Sequence, residues 1–253
     1  ELGPEVPIMI RLTGEELFDG GYGIDFMQRL ARWLQDEGVN EINVSAGNYE
    51  EIERMVAPPR FPEGFLANNA AAIKEVVDIP IGVVGRIMSP ETGERILSNG
   101  LADLLYLGRA LIADPEFPKK AVEGKKEEIR PCIVCNKGCI DRLFSGLDIK
   151  CSVNPMLGHV SEAKMLSSQI SRNVLVIGGG PAGMEAAKTA SLRGHRVSLY
   201  EKTDKLGGVL NKAVLLHHKK PLFNLVEYYI IQMKLFSIDV KLNKEVNTDI
   251  IAN

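Results

Sequence analysis

The sequence of 253 residues lacks long apolar runs, a strong excess of one charge, and cysteine outside one short segment. Its longest apolar runs, such as residues 174–177, are far shorter than the roughly 18 residues that a membrane helix needs. The formal charge of -3 includes no basic cluster, so we expect neither a nucleic-acid nor a membrane partner. No signal peptide opens the chain, so we expect a cytoplasmic protein.

The first 120 residues repeat a short apolar run followed by a segment of helical period. These runs lie near Ile8, Ile42, Ile81 and Leu104, and each is apolar throughout, as expected for parallel strands covered on both faces. Four such βα units in series predict an α/β fold. Their spacing suits both a doubly wound sheet and half of an eight-unit TIM barrel, so periodicity leaves the two architectures open.

Helix start and stop signals lie between the apolar runs. An amphipathic segment ends at Gly38, and an alanine-rich segment covers residues 68–77. Ser89 supplies an N-cap before a first-turn proline, and Gly100 ends the helix that follows. Asp114 and the proline after it repeat this start signal, so they predict another helix beyond the fourth run.

A dinucleotide-binding pattern begins at Asn173 with a strand, a glycine turn, a helix and a second strand. The glycines of its GxGxxG turn permit a tight turn, close approach of backbone to a pyrophosphate, and packing of helix on strand. An acidic residue after the second strand can accept hydrogen bonds from ribose hydroxyls. We expect the nucleotide to contact Gly178, Gly180, Pro181, Ala182, Gly183, Glu201, Lys202 and Gly208. The pattern alone does not separate FAD from NAD.

All four cysteines fall within twenty residues, as Cys132, Cys135, Cys139 and Cys151. Three of the cysteines lie close together in the sequence and the fourth is remote. This spacing favours an iron–sulfur cluster over structural zinc, whose ligands usually come as two separated pairs. A reducing compartment disfavours disulfides. Zinc and unligated thiols remain open alternatives to the cluster.

Several stretches together resemble one family, the multi-domain relatives of old yellow enzyme that join an FMN barrel, a 4Fe-4S cluster and an FAD/NAD(P)H module. This group includes 2,4-dienoyl-CoA reductase, 2-enoate reductase, bile-acid-inducible dehydrogenases and trimethylamine dehydrogenase. The stretches that carry the resemblance are IRLTGEE, VSAGNYE, VVGRI, ADLLYLGRALIADPEFP, RPCIVCNKGC, CSVNP and VLVIGGGPAGMEAA.

The resemblance implies a division of the chain into four parts. Residues 1–129 would be strands five to eight of the FMN barrel, and residues 130–158 the 4Fe-4S segment. A linker over 159–172 would lead to an incomplete FAD-binding Rossmann-like domain over 173–253. We therefore expect a fragment of a longer chain, inactive alone, whose half-barrel needs the missing strands because it exposes unpaired sheet edges.

The resemblance also implies an FMN site in the first region. Arg11 matches the arginine that lies against the flavin ring, although a solvated arginine at a strand end is the alternative. Gly85 with Arg86, and Gly108 with Arg109, match the phosphate loops after strands seven and eight. Each pair taken singly is also compatible with turn chemistry and a surface charge.

The loop over residues 45–61 departs from dienoyl-CoA reductases, because it contains no histidine near the substrate. This form is closer to the enoate-reductase and bile-acid branch. Tyr49 is our candidate catalytic residue as a hydrogen-bond donor to substrate, with a packed loop tyrosine as the alternative. No histidine matches a catalytic motif, so we expect solvated or capping roles for His159, His195, His217 and His218.

By resemblance, the intact enzyme would pass electrons from NAD(P)H through FAD and the cluster to FMN. FMN would then reduce, or form, an activated C=C bond of a small unsaturated substrate such as an enoate, an enoyl-CoA or a steroid-like compound. An amine dehydrogenase of the trimethylamine dehydrogenase type and a non-catalytic, zinc-stapled nucleotide-binding module are the alternatives. The oligomeric state stays open, a homo-oligomer included.

Overall fold

The computed structural model describes residues 3, 5–159, 167–213, 215, 219 and 221–248. The chain divides into two compact units, the first formed by Glu1–Ile112 with Val134–Leu147 and the second by Ala113–Ile133 with Asp148–Asn253. The four-part division given above was drawn from the cofactor that each part would bind, whereas these two units are defined by packing. The four-part division stays a prediction.

Strands and helices alternate from the start of the chain. Up to Ala113 they are β1 (Met9–Thr13), α1 (Ile24–Asp36), β2 (Glu41–Ser45), α2 (Ile52–Met55), α3 (Ala67–Lys74), β3 (Ile81–Val83), α4 (Pro90–Ser98), β4 (Leu104–Leu105) and α5 (Arg109–Ala113). After it come α6 (Phe117–Val122), a 3-10 turn (Lys126–Glu128), a π-helical turn (Lys137–Asp141), α7 (Arg142–Phe144), β5 (Asn173–Ile177), α8 (Pro181–Leu192), β6 (Arg196–Tyr200), α9 (Leu210–Ala213), α10 (Pro221–Leu235) and β7 (Asp239–Lys241).

The sheet of the first unit runs in the order β1-β2-β3-β4, and every neighbouring pair is parallel. Its register places Arg11 opposite Asn43 and Asn43 opposite Gly82. Strands added consecutively in one direction follow the winding of a barrel, whereas a doubly wound sheet reverses its strand order at a switch point. The predicted α/β fold with parallel strands is confirmed.

The central strands of this sheet carry the core of the first unit. Ile42, Val44, Ile81 and Val83 are fully buried, so β2 and β3 are covered on both faces as their apolar sequences predict. The outer strands β1 and β4 are partly exposed, because each has a neighbour on one side only among the described strands.

The predicted helix signals are confirmed in α1 and α4. The amphipathic face of α1 packs on the core, and Gly38 follows the helix with a φ of +92°, which suits a glycine stop. The Oγ atom of Ser89 accepts a hydrogen bond from the backbone N–H of Thr92, as an N-cap should.

The start signal at Asp114 is wrong in its detail. The helix α6 begins at Phe117 with Glu116 at the cap position. The Asp114 carboxylate instead accepts the backbone N–H groups of Glu116 and Arg130 and pairs with Lys120 at 2.7 Å. The carboxylate of Asp114 is thus bound by the nearby Glu116 and Lys120 and by the remote Arg130, and sequence spacing could not reveal this set of partners.

The second unit contains a parallel sheet in the order β5-β6-β7. Its first strand begins at Asn173, where the sequence predicts the start of a new α/β unit. Helix α8 buries Met184 and α10 buries Met233 in the same core. The predicted linker falls partly on residues 160–166, which lie outside the described residues. Among the helices that the structure describes, none is long and apolar enough to cross a membrane.

Candidate functional site

A cleft of about 550 Å³ opens in the first unit where its parallel strands end. Thr13 and Ser45 line it from the last positions of β1 and β2, and the loops after β3 and β4 line the rest. This end of a parallel barrel sheet is where active sites form. The cleft brings together the five residues for which the sequence predicts FMN contacts, namely Arg11, Gly85, Arg86, Gly108 and Arg109.

Arg11 reaches the cleft from β1 and is held from the neighbouring strand. Its Nε atom donates a hydrogen bond of 3.0 Å to Oδ1 of Asn43, which is fully buried. One side of the guanidinium is therefore fixed, and its terminal nitrogens make no hydrogen bond to a described residue. This geometry fits a cation that is positioned for a bound group.

Arg86 and Arg109 are tethered to loop carbonyl groups beside the cleft. Arg86 has a φ of +53° and its Nη1 atom donates to the carbonyl oxygen of Pro59. Arg109 donates through Nη2 to Ala57 at 2.9 Å and through Nη1 to Oδ1 of Asn136 at 2.6 Å. A guanidinium has five N–H donors, so these contacts are compatible with further bonds to a phosphate.

Tyr49 and the described histidines are not among the residues that line the cleft. The side chain of Tyr49 is 78% exposed, so its catalytic role stays a prediction. His159 is exposed, and Nδ1 of His195 accepts a hydrogen bond from the backbone N–H of Arg172. His217 and His218 lie outside the described residues.

The sequence analysis missed Arg54, a further arginine that lines the cleft. It lies on the short helix α2, in the loop that the sequence analysis considered for its lack of histidine and for Tyr49. Its guanidinium carbon lies 5.6 Å from the ring centroid of Phe61, and its Nε atom is 3.6 Å from a carboxylate oxygen of Glu51. The only signal for Arg54 in the sequence was that a basic residue occurs in the segment after β2.

The four cysteines are divided between the units. Cys135 and Cys139 belong to the first, Cys132 and Cys151 to the second; all are partly buried and none forms a disulfide. Burial raises the pKa of the Cys139 thiol, and the N–H of Ile140 and the charge of Arg109 oppose this shift only in part. Within the described ranges, no three His, Cys, Asp or Glu side chains gather closely enough to hold one metal ion.

The donor chemistry of the cysteines still fits an iron–sulfur cluster. Reduced, partly buried thiols are the ligands that such clusters use. A 4Fe-4S cluster binds each cysteine through a different iron, so its ligands do not have to meet at a single ion. The assignment of the cluster to these residues stays a prediction.

The glycine turn of the second unit has the geometry that its sequence predicts. Gly178 has a φ of +101°, which favours glycine. A Cβ atom on Gly183 would lie 2.0 Å from the carbonyl oxygen of Gly178, so only glycine fits where α8 meets the turn. A Cβ atom on Gly180 would meet nothing within 4 Å, which leaves open space in front of the α8 N-terminus, where Pro181 and Ala182 begin the helix. A phosphate would find the free backbone N–H groups of a helix start here.

Glu201 follows β6 and is buried against the glycine turn. Its carboxylate accepts the N–H of Gly179 at 2.7 Å and the N–H and hydroxyl of Thr203 at 2.9 and 2.8 Å. Burial raises the pKa of Glu201, but the N–H groups of Thr203 and Gly179 outweigh it, and the pKa falls below its usual value. Carboxylate oxygens offer about four acceptor positions, so an ionised Glu201 has capacity left for a ribose hydroxyl.

Two further predicted nucleotide contacts lie beside this carboxylate. Lys202 is exposed, and Gly208 has a φ of +55°; a Cβ atom on Gly208 would lie 3.1 Å from the Cα atom of Gly180. The backbone N–H of Gly207 donates to Gly179 at 2.8 Å, which ties this loop to the glycine turn.

The sequence analysis also missed a buried polar network in the second unit. Arg130 is paired with Glu185 at 3.2 Å and donates to the carbonyl oxygen of Val153 and to the hydroxyl of Tyr228. Lys188 donates to the same hydroxyl at 2.7 Å. Burial, followed by the charge of Arg130, lowers the pKa of Lys188 to about 8. Only the fold brings these four elements of the sequence together.

Comparison with known proteins shows which family the chain belongs to. The profile of the NADH:flavin oxidoreductase / NADH oxidase family matches residues 1–128, which is half of the chain, and the profile of FAD dependent oxidoreductases matches residues 173–226. An NADH oxidase of Thermoanaerobacter brockii is 46% identical over 216 residues, covering 84% of this chain and 33% of that protein.

Solved structures agree with these matches. A 2-naphthoyl-CoA reductase complex with 2-naphthoyl-CoA is 29% identical with a TM-score of 0.94, covering 99% of this chain and 38% of that one. Histamine dehydrogenase from Rhizobium sp. 4-9 is 29% identical with a TM-score of 0.86, covering 97% of this chain and 36% of that one. The chain spans about a third of the length of these relatives.

The chain thus combines a parallel α/β sheet that carries an arginine-lined cleft with a second unit that carries a glycine-rich turn, and both regions match profiles of oxidoreductases. The chain belongs to the NADH:flavin oxidoreductase / NADH oxidase family, which confirms the resemblance carried by its sequence motifs.

Proposed function

We propose that the holoprotein is an NAD(P)H-dependent iron–sulfur flavoprotein that reduces an activated C=C bond of a small unsaturated substrate. When bound, FMN, FAD and a 4Fe-4S cluster would supply hydride exchange and single-electron transfer between NAD(P)H and the substrate. The observation that carries the proposal is the single cleft in which all five predicted FMN contacts meet. The proposal also assigns strands β1 to β4 to the second half of an FMN-binding barrel.

In this proposal the first unit binds and orients FMN. Arg11, held at Nε by Asn43, would place positive charge beside the flavin ring. Arg86 and Arg109 would bind the phosphate through guanidinium N–H groups, with the backbone at Gly85 and Gly108 close by. The tethers from Arg109 to Ala57 and Asn136 would keep that guanidinium in place before the phosphate arrives.

The second unit would bind FAD through its backbone. The open side of Gly180 and the start of α8 would receive the pyrophosphate, and Glu201 would accept a hydrogen bond from the adenosine ribose. An acidic residue at this place favours a ribose without a 2′-phosphate. Cys132, Cys135, Cys139 and Cys151 would hold the cluster as thiolates.

An amine dehydrogenase is the second candidate, because the similarity to histamine dehydrogenase extends over 97% of the chain. Both candidates require flavin in the holoprotein, and they differ in the charge of the substrate that the cleft accepts. A cleft lined by arginines favours the first candidate on electrostatic grounds.

An anaerobic absorption spectrum combined with iron, sulfide, zinc and flavin assays tests this proposal. We expect flavin absorption together with about four iron and four sulfide per chain, as a 4Fe-4S cluster requires. A Cys151→Ala variant should lose the cluster and keep its FAD. Colourless protein that contains zinc and no acid-labile sulfide would show that the non-catalytic alternative is correct.

A further inference from the structure

The cleft of the first unit carries more positive charge than the proposed FMN contacts use. Four of its lining residues are arginines, and none of the described lining residues is aspartate or glutamate. Arg11, Arg86 and Arg109 are assigned to the flavin above. Arg54 is left without an assigned ligand.

The contacts of Arg54 leave its hydrogen-bonding edge unused. Its Nε atom is buried and has no hydrogen-bond partner, and its terminal nitrogens donate to no described residue. The approach to Glu51 is 3.6 Å, longer than a hydrogen bond, so it offsets the charge without satisfying the donors. A buried guanidinium donor without an acceptor is unfavourable, and a ligand would relieve it.

The orientation of Arg54 suits a planar anion. The guanidinium carbon lies over the ring of Phe61, 5.6 Å from the ring centroid, in a cation–π contact that uses none of the N–H donors. This contact leaves the N–H fork of the guanidinium available, and that fork matches the two oxygens of a carboxylate. The side chain extends from α2 into the cleft at the end of the sheet where active sites form.

We infer that Arg54 binds the carboxylate of the substrate, so that the substrate class is an α,β-unsaturated carboxylic acid rather than a neutral enoyl compound or an amine. This inference rests on the proposed function of the cleft. A neutral amide or thioester would offer one carbonyl oxygen to the fork, and an ammonium group would be repelled by the guanidinium charge of Arg54, which FMN does not neutralise. Arg54 is a specificity-determining residue in this account.

The test is a binding titration that requires no turnover. Oxidised, flavin-loaded holoprotein is titrated without NAD(P)H with but-2-enoate, but-2-enamide and but-2-enylamine, which share one carbon skeleton, and the perturbation of flavin absorption gives each Kd. We expect the acid to bind most tightly and the amine most weakly. Arg54→Gln should weaken binding of the acid roughly 10- to 100-fold, as expected for loss of a charge-assisted bidentate contact, and leave the amide unchanged.

Two matched variants sharpen the result. Arg60 stacks on the same Phe61 ring at 5.3 Å but is paired with Glu53 and does not line the cleft, so Arg60→Gln should leave all three affinities unchanged. Arg54→Lys keeps the charge without the fork and should retain only part of the preference for the acid.

Flavin content is measured first in every variant. Protein without flavin would contradict the proposed function and remove the basis of this inference with it. Flavin-loaded protein that binds acid and amide equally would overturn the inference alone. The same conclusion follows if Arg54→Gln weakens all three compounds alike, or if it releases FMN, because Arg54 would then serve the fold or the cofactor.

Discussion

Arg54 of the first unit and Arg130 of the second each lie beside an aromatic ring and a carboxylate. The guanidinium of Arg54 is 5.6 Å from the Phe61 ring, and that of Arg130 is 5.7 Å from the Tyr228 ring. The side chain of Arg130 is only 10% exposed and donates to Glu185, Val153 and Tyr228 within its own unit, whereas the side chain of Arg54 is 34% exposed with its donors unused. An arginine satisfied by its own fold holds structure together, and an arginine left unsatisfied in a cleft is available to a ligand.

The units also differ in how they would hold phosphate. The first presents guanidinium side chains around an open cleft, and the second presents the backbone N–H groups of a glycine turn and a helix start. Side chains can be exchanged without altering the path of the chain. A backbone site depends on that path, so its glycines are constrained by packing as well as by the ligand.

The largest difference should appear when each arginine is replaced by methionine. Arg130→Met removes one member of a buried ion pair and should lower the free energy of unfolding by about 3–5 kcal/mol. Arg54→Met removes no hydrogen bond and should cost less than about 1 kcal/mol. Urea unfolding of both variants measures the contrast, and equal losses would show that Arg54 is structural as well.

A smaller effect should separate packing from ligand binding in the glycine turn. In Gly183→Ala the new methyl group would overlap the carbonyl oxygen of Gly178, so we expect a loss of about 1–3 kcal/mol in unfolding free energy together with loss of FAD. Gly180→Ala meets no neighbour within 4 Å and should unfold within about 0.5 kcal/mol of the wild type.

FAD occupancy distinguishes the roles of these two glycines. Gly180→Ala should bind less FAD in spite of its unchanged stability, because its methyl group would occupy the space proposed for the pyrophosphate. Full FAD occupancy in Gly180→Ala would contradict the placement of the phosphate there.

A further effect, which appears as a slope of stability with pH, concerns the buried lysine beside Arg130. Since the folded-state pKa of Lys188 is about 8 and lies below its usual value of 10.5, the unfolded chain binds more protons than the folded one between these pH values. Stability should therefore rise with pH across that window, by at most about 1.4 kcal/mol per pH unit for this group. Denaturation curves of wild type and Lys188→Met from pH 7 to 10 isolate this slope, and parallel profiles would contradict it.

Local patterns predicted much of the fold correctly. Apolar runs located β1 to β4, Gly38 and Ser89 marked helix ends, and the GxGxxG turn marked the strand and helix that follow Asn173. These features depend on neighbours within a few residues, so a linear pattern contains the required information. The helix α10 and the capping residue of α6 were missed, the second because the carboxylate of Asp114 is bound by Glu116, Lys120 and Arg130.

Residues of the candidate site could be predicted where they belong to a recognisable sequence motif. Residues that only the fold brings together could not. Two paired motifs after successive strands supplied Gly85, Arg86, Gly108 and Arg109 as predicted FMN contacts, and the family resemblance added Arg11. All five line one cleft, and their role stays a prediction. Arg54 follows no motif, and its relevance comes from the ring of Phe61, seven positions away in the sequence, and from its place in the cleft. The network around Arg130 joins four separate segments, which no spacing rule connects.

Flavin extraction from the holoprotein, with separation of FMN from FAD, tests the central claim that two different phosphate sites serve two different flavins. We predict about one FMN and one FAD per chain, as two independent cofactor sites require. Arg86→Gln should lose FMN and keep FAD, and Gly180→Ala should lose FAD and keep FMN. A single kind of flavin in the wild type, or equal loss of both flavins in each variant, would contradict the account.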